Sequence, residues 1–197
     1  SFLKWSLEKE YHSNREYEKF TATEHDIDII YLTFDELMRL YKKDFDSDRL
    51  SQVRDFYCMG CFSGLRFSDL EKLHLANISE EHIVLSIQKT KTQNHAIKLN
   101  KYAKEILNKY KGTIYEPLPR ISSQKFNDYI KECCELAEIT QPFTIHWFVG
   151  TEKKTLTQPK CKFITSHTAR KTFITNSLLL GMEPKAIKKI ANIKKDA

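Results

Sequence analysis

Apolar positions recur at helical spacing along most of this chain. In "YLTFDELMRLYKK" the residues Phe34, Leu37, Leu40 and Tyr41 form one stripe, and Thr33 with Glu36 fits a capping box, which predicts a helix there. "RLSQVRDFYCMGCFSG" predicts a second helix, stopped by Gly64. Ser68 to Glu71 fits another capping box and starts a short third helix, "DLEKL". The period then drops to that of a strand. "HIVLSIQ" and "HAIKLN" are rich in β-branched residues and flank "KTKTQN", which suits a β-hairpin or a turn of a small sheet. Asn100 caps "KYAKEILNKY", which ends near Gly112, and "PLPR" reads as a loop. "SSQKFNDYIKECCELAEI" is amphipathic, with Phe126, Ile130 and either Cys133 or Cys134 inward. "FTIHWFVG" and "KCKFIT" suit a second hairpin, with "TEKKTLTQP" between them. "SHTARKTFITNSLLLG" reads as a helix capped by Thr165 or Ser166, burying Ala169, Phe173 and Leu178, and closed by Gly181. Pro184 suits the first turn of a last helix, "KAIKKIANIKK". At the start, residues 3–10 suit the end of a helix anchored by Phe2, Trp5 and Leu7, and residues 12–28 read as a polar linker.

The fold class that follows is mainly α with a small antiparallel β-sheet, an α+β arrangement. An alternating βαβ order is missing, and the 5 glycines are scattered, so neither a doubly wound nucleotide-binding fold nor a phosphate loop is expected.

Composition narrows this little. The chain has 197 residues, 41% of them hydrophobic, enough for one domain with a real core. The net charge of +6 permits a polyanionic partner. The 5 cysteines are odd in number and irregular in spacing, which is no disulfide framework. "CMGC" has a zinc-ligand form but lacks a second pair at suitable spacing, so buried cysteines in a reduced compartment are expected. No apolar stretch is long enough to span a membrane, and the charged start is unlike a signal peptide, which points to the cytoplasm.

The cations carry the chemistry. Arg66 stands at the bend between the second and third predicted helices, flanked by Leu65 and Phe67. A guanidinium there needs a partner, and either Asp69 or an exogenous phosphate suits it. His167 and Arg170 share the face of a helical first turn, where free backbone N–H groups already favour an anion. Lys89 and Lys91 stand at the mouth of the first hairpin. Each group alone has an ordinary reading: a local ion pair, surface residues, a solvated turn. Together, and with no matching carboxylate cluster to hold a metal, they suit charge stabilisation at a phosphodiester without metal or cofactor.

At these residues the chain resembles a known family. "GLRFSDLEKL", "IQKTKT…IKL" and "SHTARKTFIT…G" look like the motifs of tyrosine recombinases, the site-specific integrases of phages and conjugative elements. "HTARKTF" is similar to integrases of Bacteroidetes mobile elements, and the match runs from about Tyr31 to the C-terminus. The resemblance implies a mostly helical catalytic domain with a small sheet. It makes Arg66 and Arg170 the phosphate clamps, Lys89 the acid for the leaving 5′-oxygen with Lys91 as the alternative register, His167 an aid to proton transfer, and Asp69 the supporting carboxylate. It implies cleavage and rejoining of DNA through a 3′-phosphotyrosyl intermediate, with no cofactor. The implied partners are double-stranded DNA at a recombination site, a Holliday junction, and further copies of the chain, commonly as a tetramer. The setting is the bacterial cytoplasm, at the nucleoid. Residues 1–28 then look like the end of a DNA-clamping domain with its linker, and residues 29–197 like the catalytic domain.

Two departures stand out. The family's Gly-His pair after the last apolar helix aligns with Asn192 and Ile193. No tyrosine follows Tyr129, so the nucleophile is expected after Ala197 and this stretch alone is expected to be inactive. The alternative is a non-catalytic DNA- or junction-binding regulator, and a third option is a topoisomerase of the same chemical class.

Overall fold

The computed structural model describes residues 2–19, 29–87, 92–150 and 152–193. Helix α1 (Phe2–Glu8) and a single 3-10 turn at Glu16–Lys19 come first. Helices α2 (Phe34–Lys42), α3 (Asp48–Ser63) and the short α4 (Phe67–Leu70) follow. Strands β1 (Asn77–Ile78), β2 (His82–Ile87) and β3 (Thr92–Lys98) form an antiparallel sheet in the order β1-β2-β3. Then come α5 (Lys101–Tyr110), α6 (Ser123–Leu136), the hairpin β4 (Pro142–Val149) with β5 (Glu152–Pro159), α7 (Ser166–Leu179) and α8 (Pro184–Ile190).

Helix α3 is the axis of the molecule. Every residue from Val53 to Ser63 is buried, and a helix apolar nearly all round belongs inside. Helices α2, α5, α6 and α7 pack on it. Small residues set the closest approach: a Cβ on Gly60 would stand 3.1 Å from the Ala169 Cβ of α7. Polar groups then fix the register of the layers. Tyr57 and Thr168 share a buried hydroxyl hydrogen bond of 2.8 Å between α3 and α7. Asn100 caps α5 by accepting from the Ala103 N–H and donates to the Phe62 carbonyl of α3. Asp55 accepts from Arg54, Lys109 and Tyr110, joining α3 to α5. Thr33 and Glu36 form the capping box of α2, and Glu36 also takes a buried ion pair from Lys160 at 2.6 Å.

Several boundaries differ from the sequence reading. Glu10 takes a left-handed backbone (φ 58°) just after α1, and Phe2 (73% exposed) and Trp5 (47%) stand at the surface, the Trp5 ring 5.7 Å from those of Phe2 and Tyr11. Residues 20–28 of the expected linker lie outside the described residues. Phe34 is exposed, so the α2 stripe narrows to Leu37, Leu40 and the half-buried Tyr41. The Ser68–Glu71 capping box does not form, because α4 already begins at Phe67 with Arg66 as its N-cap. Helix α6 stops at Leu136, since Glu138 turns left-handed, and both Cys133 and Cys134 are buried. The partner of β4 is Glu152–Pro159, within the stretch expected to be the connection, whereas "KCKF" is a 3-10 turn with Lys160 and Cys161 buried. A strand paired through its backbone needs no apolar side chains when both its faces meet water, and β5 is polar for that reason. Leu178 is exposed rather than buried, near the free end of α7. Helix α8 ends at Ile190, short of the expected lysine-rich extension, and residues 194–197 lie outside the described residues.

All 5 cysteines are buried with free thiols, and burial pushes the thiols of Cys58, Cys61 and Cys134 far up. Among the described residues no helix is long and apolar enough to cross a membrane.

Candidate functional site

The bend that closes α3 builds the site. Gly64 takes the left-handed conformation (φ 70°) and returns its N–H to the Gly60 carbonyl. The chain then extends through Arg66 (φ −75°, ψ 157°), whose carbonyl accepts from Asp69 and Leu70 to start α4. Arg66 is thereby held at the corner between two helices, with its side chain 22% exposed. Asp69 projects from α4 towards it, Arg66 Nη1 to Asp69 Oδ2 being 3.9 Å. That is too long for a hydrogen bond. Arg66 Nη1 and Asp69 Oδ2 are both buried and have no hydrogen-bond partner among the described residues.

Arg170 reaches the same corner from α7. Its Nη1 donates to the Gly64 carbonyl at 2.9 Å, and its Nη2 donates to the Ala191 carbonyl at the end of α8. The orientation of α7 is set by Thr172, which accepts from the Leu32 N–H at 2.9 Å, and by Asn176, which donates to the Leu32 carbonyl at 3.0 Å. Asn127 of α6 accepts the first-turn N–H of Ser166, and Thr165 is the N-cap of α7. His167 lies exposed on that first turn, three residues before Arg170 and on its face.

The electrostatics are those of a cluster with too much positive charge. Burial and, to a lesser extent, repulsion from Arg66 bring Arg170 down to about 10, with Asp69 partly offsetting them. It stays charged at neutral pH. Burial raises the Asp69 carboxyl, against the pull of Arg66, Arg170 and His95. Two guanidinium groups therefore act on one buried carboxylate.

The structure thus brings Arg66, Asp69 and Arg170 together and leaves His167 on the adjoining turn. Lys89 and Lys91 lie outside the described residues. Asn192, aligned with the family's glycine, has the left-handed backbone a glycine would take (φ 49°). Its side chain hydrogen-bonds Thr92 of β3, while Ile193 packs by Phe173, Ile187 and Ala191. His95 was not singled out in the sequence. It is buried on β3, and its signal was the alternation His95, Ile97, Leu99 on the inward side. Among the described residues no group of His, Cys, Asp or Glu is arranged to hold a metal ion.

No family model matches the sequence, and no curated protein matches it. Among solved structures, the Tn1549 transposon integrase (aa 82-397) in complex with circular intermediate DNA superposes with a TM-score of 0.62 at 15% sequence identity, covering 98% of this chain and 67% of that chain. At that identity the likeness is one of fold: this chain has the mainly helical architecture, with small antiparallel sheets, of a transposon integrase.

Proposed function

We propose that this chain is the catalytic part of a tyrosine recombinase that cuts and rejoins DNA at a specific site. The observation that carries the reading is the convergence of Arg66 and Arg170 at one corner beside Asp69, with the buried Arg66 Nη1 lacking a hydrogen-bond partner among the described residues. A phosphodiester supplies the missing negative charge, and arginine's planar fork matches its non-bridging oxygens.

On this reading a tyrosine oxygen attacks the scissile phosphorus. The bond to the 5′-oxygen breaks, a 3′-phosphotyrosyl ester forms, and the leaving 5′-oxygen takes a proton from Lys89, or from Lys91 in the alternative register. His167 aids the proton transfers, and Arg66 and Arg170 hold the charge that builds on the phosphate oxygens. Asp69 orients Arg66 without neutralising it fully. The reverse attack by a new 5′-hydroxyl restores the diester, so no external energy source enters. The reading expects its nucleophilic tyrosine beyond Ala197, and it expects recombination in a homo-oligomer, commonly a tetramer, with a Holliday junction between two rounds of strand exchange.

The test uses the protein extended to its native C-terminus and a nicked duplex taken from the ends of the DNA element that encodes it. A covalent protein–DNA adduct is expected, mapped by mass spectrometry to a tyrosine. Arg66→Ala and Arg170→Ala should each lower adduct formation on the order of 100-fold or more while duplex binding is largely kept. Equal loss of binding and cleavage assigns both arginines to positioning alone. Duplex or junction binding with no adduct at all favours the non-catalytic regulator instead.

A further inference from the structure

The pairing of β2 with β3 is regular from His82↔Lys98 to Leu85↔His95 and then shifts to Ile87↔Thr92. Strand β3 therefore carries one extra residue between these pairs, a β-bulge. Asn94, with a left-handed backbone (φ 52°), lies within it. In a regular strand two residues three apart face opposite sides. Here the bulge turns both Thr92 and His95 onto the end of α8. His95 Nε2 lies 2.9 Å from the Ile190 carbonyl, and the Asn192 amide donates to Thr92 Oγ1 at 3.1 Å. A carbonyl only accepts, so His95 Nε2 carries the hydrogen. The next carbonyl, that of Ala191, is the one Arg170 holds. Successive carbonyls at one helix end are thus gripped from β3 and from α7, and the His95 ring lies within electrostatic reach of Asp69.

We infer that His95 is a positioning residue of the arginine site: by holding the Ile190 carbonyl beside the Ala191 carbonyl that Arg170 holds, it fixes where the chain leaves α8 relative to both guanidinium groups. It is 8% exposed, and nothing in the site geometry asks it to meet DNA. Its role is to keep Arg170 aimed at the corner. The inference rests on reading the Arg66–Arg170 pair as an anion site.

The test sets His95→Gln, whose amide N–H reaches the Nε2 position, against His95→Asn, whose amide stops short of it. Inorganic phosphate is titrated at constant ionic strength into the whole protein, isotope-labelled at arginine, and amide hydrogen exchange is followed at residues 190–193. Phosphate is expected to move the Arg66 and Arg170 side-chain signals together in the parent and in His95→Gln. In His95→Asn the phosphate affinity is expected to fall about 5-fold and exchange at residues 190–193 to quicken by roughly 10-fold, the size of one lost hydrogen bond. Equal affinity and equal exchange in the two variants overturn the inference. Failure of His95→Gln to fold overturns it as well, because that variant keeps the donor. If only His95→Asn fails to fold, His95→Met, which fills the ring's space without a donor, takes its place; faster exchange at residues 190–193 than in His95→Gln then upholds the inference and equal exchange overturns it. A parent protein whose arginines ignore phosphate sinks the anion-site reading instead, and the exchange comparison still decides whether His95 holds α8.

Discussion

Gly64 ends α3 with φ +70°, and a Cβ there would stand 2.6 Å from the Phe173 ring of α7. Gly64→Ala therefore combines an unfavourable backbone with overpacking and is expected to cost about 2–4 kcal/mol in urea unfolding. Gly64 also offers its carbonyl to Arg170, so the same change should move that guanidinium. Asp69 gives a prediction of pH dependence. Burial raises its carboxyl in the folded state, so between the ordinary carboxylate value and the raised one the folded chain holds more protons than the unfolded chain. Stability falls as pH rises through that window. In Asp69→Asn the decline as pH rises above the ordinary carboxylate value should be shallower, as read by urea unfolding at each pH. At this scale the sequence was informative where charge sits beside an apolar corner: Arg66 with Asp69, and Arg170 one turn past His167. His95 escaped notice because an inward histidine in a strand looks like any other inward residue until its partner is known. That partner, Ile190, lies 95 residues away.

Helices were the more legible elements. The strongly periodic α2, α5 and α6, and the capped α7, stand close to where their stripes and caps put them, because a capping box or a left-handed glycine is a local cause with a local effect. The polar strand β5 was not legible, since its pairing with β4 is a backbone matter and its side chains carry no alternation. The bulge in β3 was also hidden, because an asparagine that turns left-handed has the same letter as one that does not. The contact between α2 and the turn after β5 makes a sharp prediction. Glu36 and Lys160 form a buried pair, with Glu36 also holding the Thr33 N–H. Lys160→Met strands the carboxylate and should lower stability by about 3–5 kcal/mol, whereas the double change with Glu36→Gln should recover a large part of that loss. Unfolding curves of the two single variants and the double variant measure the coupling.

For the molecule as a whole, what no local pattern could reveal is convergence. Arg66 and Arg170 are remote in sequence and meet only because α3 and α7 approach through Gly60, Ala169 and Gly64. The order of the motifs pointed to that meeting through resemblance, and the packing supplies its physical cause. The net charge of +6 bears on affinity rather than on chemistry. If about six phosphates are contacted, duplex affinity is expected to drop on the order of 1000-fold between about 50 and 200 mM salt, and Arg66→Ala should change that slope by no more than about one contact. Binding measured by fluorescence anisotropy across a salt series checks both.

Leu32 precedes α2, yet both its N–H and its carbonyl are taken by α7, through Thr172 and Asn176. The strand of chain that arrives from residues 29–31 is thereby buttoned onto the helix that bears His167 and Arg170. A tug on the residues ahead of α2 travels two hydrogen bonds before it reaches the helix that carries Arg170, so mechanical load there bears on where that side chain points.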